Sequence, residues 1–321
     1  MKDIRVTVPA TAANLGPGFD VLALALSLHN EVTVSCSEPR RHTSEAALRR
    51  ALLETELRIT VHGEGADALP ANKTNLVYRA MKDVFLRTRR VPARLEVNLA
   101  NGIPLTRGLG SSAAAIVAGL LAANAACGDQ LSPQDLLDLA AAREGHGDNV
   151  AAALLGGLTA SVMTQEGLSA RRLPIADRYR VVVAVPDYPL PTRKARAALP
   201  GTVARDDAVF SLSRTALLVA LLAAGSHEGL AEAMQDRLHQ PHRSPLLPGF
   251  REAAEAAMRA GALGTALSGA GPSVIAFVPR NKPHLFERVG SAMVQAYRRK
   301  RIQAVAWVLR IDRRGARMRT T

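Results

Sequence analysis

The sequence predicts an α+β protein of two domains, and three observations carry that prediction. Its 321 residues, 48% of them hydrophobic, exceed one ordinary domain and suggest two packed halves or one large core, enough to bury a substrate site. The first half alternates strand-like and helical stretches around glycine-rich segments. The second runs strand, helices, strand, helix, strand, the order of a ferredoxin-like layer of helices on an antiparallel sheet. The pattern changes after Ala151, and the boundary is set near residue 160, giving domains 1–160 and 161–321.

Ile4 to Val8 and Glu31 to Cys36 alternate apolar and polar residues as half-buried strands do, with a glycine- and proline-punctuated stretch between them. Glu38 to Glu56 is charged and alanine-rich and reads as a surface insertion with a helix. Leu57 to Val61 and Leu95 to Leu99 read as further strands, with Thr74 to Arg87 as the helix between them. Ala113 to Cys127 is almost wholly small and helix-forming, and Gly128 stops it. Ser132 caps the next helix, Pro133 lies in its first turn, Asp135 takes the capping-box position, and the helix runs to Glu144 with Gly145 as its stop. Gly156 to Val162 and Arg180 to Val185 read as strands; Arg214 to Gly225, Leu230 to Arg237 and Gly249 to Gly261 read as helices. Strand Val274 to Val278, helix Pro283 to Arg298 and strand Ala304 to Leu309 complete the chain.

The stretch Pro104-Leu-Thr-Arg-Gly-Leu-Gly-Ser-Ser-Ala-Ala114 has the chemistry of a phosphate cradle. Gly108 and Gly110 open backbone conformations closed to residues with a Cβ, so that amide N–H groups can crowd around one anion. Ser111 or Ser112 can cap the helix that follows, and the free N–H groups at its start carry partial positive charge. The run lacks the Gly-Lys-Ser/Thr ending of a P-loop and is not the Gly-x-Gly-x-x-Gly of a dinucleotide-binding βαβ unit.

This run resembles the second motif of the small-molecule kinases grouped as galactokinase, homoserine kinase, mevalonate kinase and phosphomevalonate kinase, the GHMP kinases. Val8-Pro-Ala-Thr-Ala-Ala-Asn-Leu-Gly-Pro-Gly-Phe-Asp20 and Leu267-Ser-Gly-Ala-Gly-Pro-Ser273 resemble the first and third motifs, in the right order. Within the group, the first motif, Glu144-Gly-His-Gly-Asp-Asn-Val150, the pair Thr192 and Arg196, and Gln240-Pro-His-Arg243-Ser-Pro-Leu resemble the branch that acts on homoserine. Together these segments run from residue 8 to residue 273. The resemblance implies an N-terminal ATP-binding domain, a ferredoxin-like C-terminal domain, ATP and Mg²⁺ as cofactors, and phosphorylation of L-homoserine on the route to threonine. Rival readings are a kinase of the same group acting on mevalonate or a sugar, and a non-catalytic member with a binding role.

Phosphoryl transfer to an alcohol needs a metal, oriented phosphates and a hydroxyl placed in line. The resemblance places the ATP phosphates on Pro104, Arg107, Gly108, Leu109, Gly110, Ser111, Ser112, Ala113 and Ala114, with Ser268, Gly269, Ala270 and Gly271 closing a second glycine loop over them or the substrate. Asn75 is assigned to the side of the nucleotide base. Glu144 sits in the last turn of its helix, where a carboxylate faces the negative end of the dipole and something else must favour it. Paired with Ser112, it is the candidate Mg²⁺ ligand. An amino-acid acceptor calls for a carboxylate to take its ammonium and bidentate arginines to take its carboxylate. The resemblance maps these onto Asp20 and onto Arg196 and Arg243, with Thr192 beside them, and gives Asn14 and Asp148 the reacting hydroxyl. A carboxyl group titrating near 3.9 is a weak base for an alcohol, which favours positioning by Asp148 over general-base catalysis. His146, His239 and His242 read as structural. Members of this form usually read Glu-Gly-His-Pro-Asp-Asn; Gly147 stands here in place of proline, which predicts a floppier loop before Asp148.

Composition excludes several other classes. The net charge of +13 is spread along the chain and aromatics are only 3%, so stacking platforms for nucleic acid are scarce and no nucleic-acid partner is expected. A positive field would still attract an anionic nucleotide. Cys36 and Cys127 lack metal-ligand spacing and are expected buried and inert. No apolar run approaches the roughly 20 residues of a membrane span, and Ala216 to Ala224 reads as a buried helix. The charged N-terminus has no signal-peptide core, so a cytoplasmic enzyme without a membrane partner is expected, with a homodimer compatible with all of this.

Overall fold

The computed structural model describes residues 2–320. The first part of the chain comprises β1 (Lys2–Asn14), β2 (Gly18–Cys36), β3 (Arg40–Arg41), α1 (Glu45–Glu54), β4 (Glu56–Gly63), α2 (Leu76–Thr88), β5 (Arg90–Val91) and β6 (Arg94–Asn101). It continues with α3 (Ser111–Ala126), α4 (Pro133–Glu144), α5 (Asp148–Leu155), β7 (Leu158–Thr164) and β8 (Gly167–Leu173). The second part comprises β9 (Tyr179–Pro186), α6 (Thr192–Ala197), α7 (Arg205–Ala224), α8 (Leu230–Ala233), α9 (Gln240–Arg243) and α10 (Phe250–Arg259). β10 (Gly264–Leu267), β11 (Val274–Pro279), α11 (His284–Arg299), β12 (Ala304–Leu309) and β13 (Arg317–Thr320) follow.

The first sheet has seven strands in the path β13-β1-β2-β6-β4, with β7 added to β2 and β8 to β7. Its antiparallel β1–β2 hairpin is much longer than the alternating stretches suggested, because the first motif is itself strand up to Asn14 and again from Gly18. Asn14, Leu15 and Gly16 take φ of 74°, 50° and 91°, so the glycine-rich segment is the hairpin turn and delivers Asn14 and Asp20 to one end of the sheet. The register puts Val6 opposite Val32 and Ile4 opposite Val34, all fully buried or nearly so. α3 packs against β1 and β2. Its Ala113, Ala114, Ile116, Val117 and Leu120 are all buried, as expected of a helix apolar on every side.

The second sheet has order β10-β11-β9-β12 with every pair antiparallel, the ferredoxin-like arrangement, and α10 and α11 cover it. Residue 160, taken above as the domain boundary, lies inside β7. The β7–β8 hairpin belongs to the first sheet, and β13 returns to pair with β1, so the two sheets divide the chain between Leu173 and Tyr179 with the last strand crossing back.

Three elements depart from their sequence pattern. The helix expected over Leu230 to Arg237 ends at Ala233, because the Asp236 carboxylate accepts hydrogen bonds from the amides of Leu238, His239 and Gln240 and draws the chain into a turn. α5, unmarked in the sequence, starts directly after Gly147 with no side-chain cap. α7 begins at Arg205 rather than Arg214, and it is not the buried helix expected. Only Ser211, Leu218 and Leu222 are buried, while Val209 and Leu212 are largely exposed. Among the described residues it is the one helix long and apolar enough to cross a membrane by length and composition. Arg214 ties it to Glu232 of α8.

Candidate active site

The cradle is built where β1, the loop before α3 and the third motif meet. Gly108 and Gly110 hold φ of 73° and 69°, and a Cβ on either would collide, with the carbonyl of Ser268 and the hydroxyl of Thr11 respectively. Gly110 is the N-cap of α3 and no side chain caps that helix. Neither Ser111 nor Ser112 therefore plays the capping part allowed them above; both lie inside the first turn, and its amides are left to an external anion. The third motif closes the rear: Ser268 Oγ donates to Gly108 O at 2.7 Å, and Gly269 N donates to Ala13 O at 3.0 Å.

Beside the cradle stands an acidic wall. Ser112 Oγ donates to Glu144 Oε2 at 2.6 Å, bringing the two expected metal ligands together. Burial holds the Glu144 carboxyl above its ordinary value, against the opposing hydrogen bond from Ser112. His146 sits between Glu144 and Asp148, with Nδ1 2.7 Å from Asp148 Oδ1 and Nε2 4.0 Å from Glu144 Oε1. Burial opposes charge on this imidazole, but the hydrogen bond and charge of Asp148, helped by Glu144, outweigh it and hold His146 above its ordinary value. Asp148 Oδ1 also accepts from the Asn149 amide at 2.7 Å, while Oδ2 has no partner among the described residues. Gly147 is the N-cap of α5. The residue is buried, and the Leu168 side chain fills the space where a Cβ would stand.

The third wall combines opposite charges. Arg196 grips Asp20 in a bidentate pair of 2.8 and 2.9 Å, with both side chains about a third exposed to the cleft. Asp20 itself has φ 56°, and its amide donates to Asn14 Oδ1 at 3.0 Å. Such a left-handed aspartate is costly unless its neighbours hold it. Asn14 Nδ2 and Arg243 Nη1 both donate to Gly269 O, at 2.9 and 3.1 Å. Arg243 is almost wholly buried; burial and the nearby Arg196 lower its guanidinium to about 10, still a cation at neutral pH.

One cleft, open to solvent, gathers Asn14, Asp20, Pro104, Arg107, Gly108, Leu109, Gly110, Ser111, Ser112, Glu144, Asp148, Thr192, Arg196, Arg243, Gly269 and Ala270. Thr192 is the first residue of α6 after Pro191 and is not its cap. Ala113 and Ala114 lie behind the cradle, fully buried in α3, and Ser268 and Gly271 stand back from the cleft as its support. Asn75 is not brought to the cleft. It is buried as the cap of α2, accepting from Val77 N at 2.9 Å and donating to Pro70 O at 2.8 Å. Sequence reasoning missed four lining residues: Ala13, Thr106, His146, read as structural, and Asn149, whose Oδ1 accepts from Thr11 Oγ1 at 2.7 Å. For His146 and Asn149, which flank Asp148 at the start of α5, that position was the available signal.

Residues 75–157 match the model of the GHMP kinases N terminal domain, and residues 218–298 that of the GHMP kinases C terminal. The chain is 42% identical to homoserine kinase of Moorella thermoacetica over 311 residues, covering 97% of this chain and 98% of that protein. It is also 42% identical to homoserine kinase of Desulfitobacterium hafniense, over 98% and 99% of the two chains. Among solved structures it superimposes on homoserine kinase from Cytophaga hutchinsonii with a TM-score of 0.84 and 30% identity, over 99% of this chain and 97% of that one. L. major mevalonate kinase in complex with R-mevalonate, at 15% identity and a TM-score of 0.66 over 94% of each chain, shares the fold.

Proposed function

The chain belongs to the GHMP kinase family and within it to the homoserine kinases, and we propose that it transfers the γ-phosphoryl group of ATP to the side-chain hydroxyl of L-homoserine. The observation that carries the acceptor assignment is the Asp20–Arg196 pair facing the cradle across one cleft. A carboxylate and a guanidinium that satisfy each other when alone offer one partner each to the ammonium and carboxylate of an amino acid. A neutral sugar carries no charge to match either, and mevalonate has no ammonium. Arg243 supplies a second cation to the acceptor carboxylate.

The cradle binds the phosphates through the uncapped amides of α3 and the hydroxyls of Ser111 and Ser112, and Arg107 adds a cation at its edge. We assign Mg²⁺ to Ser112 and Glu144, an all-oxygen pair already in contact. Among the described residues no group of three or more His, Cys, Asp or Glu is placed to hold a metal. A hydroxyl and a carboxylate oxygen suit Mg²⁺, which takes few protein ligands and would complete its shell with water and phosphate oxygens. When bound, the ion neutralises charge on the phosphates. Asn14 and Asp148 orient the acceptor hydroxyl, Asp148 through the Oδ2 that no other described residue occupies. With Oδ1 tied to His146 and the Asn149 amide, this carboxylate is held in place, which favours positioning over proton abstraction.

The test is ADP release with ATP and Mg²⁺ across L-homoserine, L-serine, L-threonine, mevalonate and galactose, with an EDTA control. Metal-dependent turnover selective for L-homoserine is expected. Equal or better turnover of mevalonate or galactose would move the substrate, and silence on all five would favour a binding role.

A further inference from the structure

The acceptor wall rests on a histidine outside the cleft. Resting on the acceptor reading above, we infer that His239 is a positioning residue for the acceptor pocket, a clamp that ties the buried Arg243 to the hairpin turn carrying Asp20. The ring is completely buried. Its Nε2 donates to Gly16 O at 2.8 Å, and its Nδ1 accepts from Arg243 Nη1 at 3.2 Å. Only one form of the ring serves both contacts, the neutral imidazole with its proton on Nε2. An added proton would turn Nδ1 from an acceptor into a donor facing a guanidinium.

The surroundings keep the ring in that form. Burial is the main cause that lowers His239 to about 4; the Arg243 charge acts the same way, while Asp236, 3.5 Å from Nε2, and Asp20 oppose them. Asp236 also accepts three backbone amides of the segment, including that of His239, which fixes where the ring starts.

Both ends of the clamp matter for the acceptor. At one end, the ring of Phe19, the residue before Asp20, stacks on His239 with centroids 5.2 Å apart and planes at 24°. The guanidinium carbons of Arg243 and Arg196 lie 5.3 and 5.9 Å from the same Phe19 ring. At the other end, His239, Gly269 O and Ala195 O, the last 3.3 Å from Nε, consume the Nη1 and Nε donors of Arg243. Nη2 has no protein partner among the described residues and is the nitrogen left for a carboxylate. A leucine would fill the same volume but hold neither the turn nor the guanidinium.

Steady-state kinetics of His239→Leu and His239→Gln, with L-homoserine and ATP varied separately, test the inference. His239→Leu is expected to raise the KM for L-homoserine by about tenfold or more, the loss from one hydrogen bond to a charged group, and to leave the KM for ATP within about twofold. His239→Gln carries a donor and an acceptor on one carbon and is expected to recover to within about threefold of the wild type. Parallel movement of both KM values, movement of neither, or no recovery in His239→Gln would overturn the clamp. Should His239→Leu not fold, ¹⁵N spectra of the wild-type imidazoles, assigned by difference from His239→Gln, decide. A neutral ring protonated on Nε2 between about pH 5.5 and 8 is expected, and an imidazolium or an Nδ1 proton there overturns it. If the wild type fails to phosphorylate L-homoserine, the acceptor reading falls, and the tautomer measurement still judges the clamp.

Discussion

Replacing Asp20 by asparagine separates acceptor recognition from everything else in the cleft. The substitution keeps the shape and removes the charge. In the free protein Asp20 and Arg196 form a bidentate pair with side chains 36% and 37% exposed, so solvent screens it and its contribution to stability is about 0–1 kcal/mol. Thermal stability should therefore barely change. In the complex, the lost contact is a charge-assisted hydrogen bond to the acceptor ammonium, about 1.5–3 kcal/mol, or roughly 10- to 150-fold in kcat/KM. Arg196, released from Asp20, then meets the acceptor carboxylate without competition, which pulls the expected loss toward the lower part of that range. The assay is ADP release with L-homoserine and, in parallel, with 4-hydroxybutyrate, the same chain without the ammonium. Wild type should prefer L-homoserine strongly, Asp20→Asn should lose most of that preference, and the KM for ATP should stay put. A kcat/KM for L-homoserine within about threefold of wild type, or a parallel rise in the KM for ATP, would refute the assignment of Asp20 to the ammonium.

The proposed metal site, the histidine beside it and the glycine before Asp148 give three further tests. Glu144→Gln should raise the Mg²⁺ concentration for half-maximal ADP release by about tenfold or more while leaving the melting temperature equal or higher, because it neutralises a carboxylate that burial already disfavours; unchanged Mg²⁺ dependence would remove Glu144 from the site. His146 is held above its ordinary value, so the stability its charge contributes is fully present below about pH 6.5 and is lost as pH rises through the folded-state value. The melting-temperature gap between wild type and His146→Gln should accordingly be widest near pH 6 and shrink toward pH 9, and a gap that widens with pH would contradict the Asp148 contact as its cause. Gly147→Pro, which restores the residue usual in this motif, should destabilise by about 1–3 kcal/mol, since the ring would overpack against the buried Leu168. A raised melting temperature would show instead that the loop was loose.

What could be read from the sequence and what could not divide along a physical line. Gly108 and Gly110 were legible because a phosphate cradle demands left-handed backbone and close approach, and both demands leave glycine in the chain. The capping box of α4 was legible because both its partners lie within three residues, at Ser132 and Asp135. The strand character of the first motif was hidden, since Ala10, Thr11, Ala12 and Ala13 are buried on both faces and show no alternation. The domain boundary was misplaced for a related reason: nothing local marks β8 or β13, which exist because an edge of the first sheet accepts them. Histidine roles were the least legible of all. His239 meets Gly16 across 223 residues of chain, and Thr11 meets Asn149 across 138. No spacing rule reaches that far, and an imidazole between two acidic residues looks the same in a loop whether it faces solvent or, like His146, a cleft. The residues we assign to phosphate are thus written into backbone conformation, while those we assign to the acceptor depend on how the two sheets close around Gly269, whose carbonyl holds both Asn14 and Arg243. Substrate selectivity in this chain should accordingly be more sensitive than nucleotide binding to substitutions that shift one sheet against the other.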